Sequence, residues 1–74
     1  MRITGKDLIE EARLVNERLE KVDIRPERRY GYTALDLYGK DGRCLDTLAT
    51  GLTRRQAYEI LRAIAEVLWR EGRM

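Results

Sequence analysis

The chain predicts an α+β fold, a two-layer α-β-β-α unit in which an antiparallel hairpin packs on two helices. Three observations predict it: a β-rich stretch folded about Asp41-Gly42, a capped amphipathic helix opening at Thr53, and a second capped helix opening at Thr4. All 74 residues are expected to form one domain, close to the size at which a single core barely exceeds the chain entropy it must overcome. Oligomerisation or unusually good packing is the expected remedy.

In YGYTALDLYGKDGRCLDTLAT, two runs of β-formers flank Gly39 to Gly42, where glycine supplies the positive φ of a tight turn. A three-residue loop, Lys40-Asp41-Gly42 with Gly42 left-handed, pairs Leu37 with Leu45, Leu35 with Thr47 and Thr33 with Ala49, an apolar face. Even-numbered loops would instead set Asp46 among Leu35 and Leu37, burying a carboxylate without a partner. The chosen register leaves Tyr32, Ala34, Asp36, Tyr38, Cys44, Asp46 and Leu48 on the opposite face, with Asp36 across from Asp46. Like charges so placed need an arginine partner or solvation, and two carboxylates make a poor metal site.

Thr53 and Gln56 form a capping box, behind which Ala57, Ile60, Leu61, Ile64, Ala65 and Leu68 recur at helical spacing, with Gly72 as the stop. Thr4 and Asp7 repeat the capping pattern ahead of Leu8, Ala12, Val15, Leu19 and Val22, which predicts a first helix running to about Val22. Pro26 breaks that periodicity, so residues 25–32 read as a linker. The predicted core is Leu8, Val15, Leu19, Leu35, Leu37, Leu45, Ile60, Leu61, Ile64 and Leu68.

Lys and Arg number 15 against 13 Asp and Glu, a formal +2, and residues 1–37 balance. Neither half is basic enough to indicate nucleic acid by charge alone. Histidine and serine are absent, which removes the usual general base and the commonest hydroxyl nucleophile, and no glycine pattern forms a phosphate loop. Cys44 has no histidine to activate it and reads as a packing residue. The expectation is therefore no enzyme, no cofactor and no metal. With no apolar run long enough to span a bilayer and one cysteine, the chain is expected to be cytoplasmic, with no membrane partner.

The leading functional expectation is a protein-interaction module, self-associating as a homodimer or docking a partner through Tyr32, Tyr38, Leu48, Asp36 and Asp46 or through a hairpin edge. The alternative is nucleic-acid binding by Arg25, Arg28 and Arg29, interleaved with tyrosines, together with Arg54 and Arg55 at the start of the second helix. Trp69 reads as edge-of-core packing.

The succession of strand, Asp-Gly turn, strand and Gly51-Leu52-Thr53, followed by Ala57 inside a helix, resembles the hairpin-helix ending of integrase N-terminal arm-binding domains, over about half the chain. That resemblance implies the topology and a DNA-facing sheet. Asp36 and Asp46 depart from the basic sheet face of that family, and a helix stands here where its first strand would be. The short, Arg-rich chain also looks like small bacterial and phage proteins, a likeness that implies no activity.

Overall fold

The computed structural model describes residues 2–71 and has the element order α1 (Gly5–Asn16), β1 (Val22–Arg29), β2 (Tyr32–Gly39), β3 (Cys44–Leu52) and α2 (Arg54–Glu71). The three strands form an antiparallel sheet in the order β1-β2-β3. The α+β class and its helix, sheet, helix succession match expectation; the third strand is new. Gly72, the expected stop of the last helix, lies outside the described residues.

Both helices begin where their caps predict. The Thr4 hydroxyl accepts from the Asp7 N–H at 3.2 Å while Asp7 accepts from the Thr4 N–H at 2.8 Å. Thr53 and Gln56 repeat the exchange at 3.1 and 2.9 Å. Each box satisfies two donors that a helix start would otherwise leave unpaired.

The first helix stops at Asn16, not near Val22, because the Asn16 side chain turns out of the helix to bind β1: its amide N donates to the Ile24 carbonyl at 2.9 Å and its Oδ1 accepts from the Ile24 N–H at 2.7 Å. Leu19 still packs on the core from the connection, while Val22 opens the strand. The expected linker is thus mostly β1. Pro26 sits within it opposite Leu35, as an edge strand allows. β1 and β2 are joined by the two residues Tyr30 and Gly31, both at positive φ (52° and 79°), which is what the tightest hairpin turn requires.

The second hairpin has the predicted loop. Gly39 N–H donates to the Arg43 carbonyl at 2.8 Å, Gly42 N–H to the Gly39 carbonyl at 3.0 Å, and Gly42 has φ 88°. Beyond it the expected register slips. Tyr38 pairs with Cys44, but bulges then set Leu37 opposite Asp46, Asp36 opposite Thr47, Leu35 opposite Ala49 and Thr33 opposite Leu52.

Leu35 and Leu37 nevertheless face the helices. Leu8, Ala12 and Val15 of α1, Ile24 of β1, Leu35 of β2, and Ala57 and Leu61 of α2 form one buried cluster, ringed by Leu19, Leu37, Leu52, Ile60, Ile64 and Leu68. α1 lies over β1 and against α2, and α2 lies over β2 with only sparse contact to β3. The thinnest dimension, 17 Å, is that of one sheet under one helix layer. Because α2 does not roof β3, Leu45 is 54% exposed and leaves the predicted core.

Candidate interaction surface

The sheet face turned from the helices is polar and internally satisfied. Asp36 is wholly buried, and it accepts from the Arg29 guanidinium at 3.0 and 2.6 Å and from the Thr47 hydroxyl at 2.9 Å. The planar fork matches the carboxylate oxygen for oxygen. This pairing, led by the hydrogen bond to Asp36, raises the Arg29 pKa above its ordinary value. Beside it Arg25 lies over the Tyr38 ring, 4.4 Å from its centroid, and Lys40 pairs with Asp23 at 2.6 Å. Burial, with smaller contributions from Cys44 and the acids around it, pushes the Tyr38 hydroxyl pKa up.

The expected opposition of Asp36 and Asp46 is therefore corrected: the slipped register places Thr47 across from Asp36, and an arginine of the same chain neutralises it. Asp46 is exposed opposite Leu37 and accepts from the adjacent Thr47 N–H at 2.8 Å. It escapes the unfavourable burial argued from the sequence because no helix covers that end of β3. No group of three or more metal-ligating side chains assembles among the described residues.

Of the five residues expected to bind a partner, Tyr32 is 56% and Leu48 49% exposed, Asp46 is exposed, Tyr38 is half-buried under Arg25, and Asp36 is inaccessible. They do not form one docking surface, because β3 carries Leu48 and Asp46 at the margin while Asp36 lies sealed in the middle.

The two sheet edges differ. On β1, Asn16 occupies both backbone groups of Ile24, and two residues on Pro26 has no N–H to offer. At Ile24 and Pro26 that edge offers no free donor to an added strand. β3 has no buried residue along Cys44–Leu52; Ala49 and Leu52 are half-buried, and Leu45 and Leu48 stand out as large exposed aliphatics. Beyond β3, a shallow apolar depression lies between Leu52 and the Gln56, Glu59, Ile60 and Ala63 face of α2, with exposed Val67 one turn further along that face.

The arginines of the alternative reading are divided. Arg25 and Arg29 belong to the outer sheet face and are engaged with Tyr38 and Asp36. Arg28 and Arg54 line one recess with Gly5, Pro26 and Thr33, and Arg55 stands on the exposed side of α2, paired with Glu59. The sequence groups Arg28 with Arg54 but does not separate them from Arg25, Arg29 and Arg55, and it does not reveal Asn16, since both depend on β1 being a strand; the legible signal was Pro26, which suits an edge strand as well as a linker. No described helix is long and apolar enough to cross a membrane.

Comparison of the chain with family models, with curated proteins and with solved structures found no match.

Proposed function

We propose that this chain is a small non-enzymatic interaction module that self-associates through the β3 edge and the adjoining face of α2. The observation carrying this reading is the asymmetry of the sheet: one edge is blocked at Ile24 by Asn16 and at Pro26 by the missing N–H, while the other presents exposed Leu45 and Leu48 and leads through Leu52 to the Ile60 and Ala63 face of α2. The outer sheet face, with its charges paired internally, supports association less well, which narrows the expected surface to the edge.

A second copy suits this edge because β3 carries one charge in nine residues. A two-fold axis at Leu48 sets Leu48 against Leu48 and Asp46 opposite Thr50, so no like charges meet. An interface of standard size takes about 800 Å² per copy, roughly a seventh of the 5548 Å² surface of this chain. Asp46 acts as a restraint on this association, since its carboxylate already holds the Thr47 N–H that an incoming strand would use.

Size-exclusion chromatography with light scattering over a micromolar dilution series tests the proposal. The expected result is a species of twice 8.7 kDa that dissociates on dilution. Leu48→Asp abolishes it, Tyr38→Ala leaves it intact, and Asp46→Ala extends it to lower concentration. A strict monomer, or a dimer indifferent to Leu48→Asp, overturns the reading.

A further inference from the structure

Tyr30 occupies a position for which it is poorly suited. The two-residue turn between β1 and β2 demands positive φ at both residues, a demand that asparagine or glycine meets readily and an aromatic residue meets only with strain. The ring gains no packing in return, being 98% exposed. A residue that breaks a local rule without a compensating contact inside the fold points to a contact outside it.

The same end of the molecule gathers cations. Register pairs Thr33 with Leu52, so the turn lies beside the start of α2. There Arg28 and Arg54 line a recess of about 180 Å³ with Thr33 and Pro26, and no ion pair links either arginine to a carboxylate among the described residues. Arg54 stands in the first turn of α2, where the helix dipole disfavours a cation, and that turn carries no acid. The acid that lines the recess with them is Glu27. Two arginines lining one recess at an unfavourable helix end, on the end of the sheet that carries the exposed Tyr30 turn, match a ligand that alternates phosphates with planar rings.

We propose that this end binds single-stranded nucleic acid, with Tyr30 stacking an unpaired base and Arg28 and Arg54 holding flanking phosphates. An unpaired base, unlike one inside a duplex, has a free face for the ring. The proposal is independent of self-association, because β3's exposed leucines lie outside this recess.

Fluorescence anisotropy of a labelled oligothymidylate and a labelled oligouridylate, titrated with the intact chain at several salt concentrations, provides the test. Binding is expected to weaken linearly in log K against log salt. Arg28→Gln and Arg54→Gln should each reduce that slope by about 0.7. Tyr30→Asn should weaken binding about tenfold while leaving the slope unchanged. Since asparagine tolerates the turn better, the Tyr30→Asn variant is expected to unfold at higher denaturant, so its loss of affinity cannot be loss of fold. Tyr38→Ala, at the opposite end of β2 beside Cys44, serves as the unaffected control. Absence of binding at low salt, equal binding of a duplex or of heparin, or a Tyr30→Asn variant that binds like the parent overturns the proposal.

Discussion

Asn16 binds Ile24 through both atoms of its side-chain amide, so the last residue of α1 does for β1 what a neighbouring strand's backbone would do. The contact ends the helix, orients the turn that follows and leaves the strand edge without a free donor at that point. Replacing Asn16 by Ala strands two partly buried backbone groups, and a loss of about 1 to 3 kcal/mol in urea unfolding is expected. Amide exchange should show the Ile24 N–H losing protection out of proportion to the core. A variant within about 0.5 kcal/mol of the parent would mean that water replaces the amide without penalty.

The parts of the structure visible in the sequence are those that are local in the chain. Thr4 with Asp7 and Thr53 with Gln56 each act over one turn, and the Lys40-Asp41-Gly42 loop is decided by where glycine must stand. What stayed hidden depends on β1. Pro26 reads equally as a linker or as an edge strand, and a turn made by Tyr30-Gly31 lacks the Asn-Gly signature that announces a tight hairpin. Once β1 is missed, Arg29 has no route to Asp36, and the carboxylate looks unpaired. The bulges have the same standing: alternation fixes which residues of β2 face the helices, but it cannot say that β3 inserts extra residues opposite Leu35 and Tyr38.

Leu35 and Leu45 mark the roofed and the unroofed parts of the sheet. Leu35 is fully buried beneath both helices, so Leu35→Ala is expected to destabilise the chain by about 2 to 5 kcal/mol, combining lost burial with the cavity left behind. Leu45, which strict alternation would place in the same core, lies on the unroofed strand, and Leu45→Ala should change the stability of the isolated chain by no more than about 0.5 kcal/mol. Its effect should fall on self-association, read by light scattering. Equal destabilisation by the two substitutions would show that α2 covers β3 in solution.

Acidification should weaken the first helix before the rest of the fold. The Asp7 carboxyl is held below its ordinary 3.8, first by the hydrogen bond from the Thr4 N–H and then by the Thr4 hydroxyl. Glu10 is likewise held below 4.5 by its hydrogen bonds and charge pairing with Arg13. A carboxyl that binds its proton more weakly when folded stabilises the fold above its unfolded pKa, and that contribution disappears as pH falls through the lower folded value. The urea midpoint is therefore expected to decline as pH drops below the ordinary carboxylate range, and Asp7→Asn, which lacks the titrating group, should flatten that decline while lowering the midpoint at neutral pH. Carbon-detected NMR titration of the Asp7 carboxyl gives the direct check. An Asp7 carboxyl titrating at or above 3.8 would mean that the capping box at Thr4 is open in solution, and with it the start of the helix that carries Asn16 to β1.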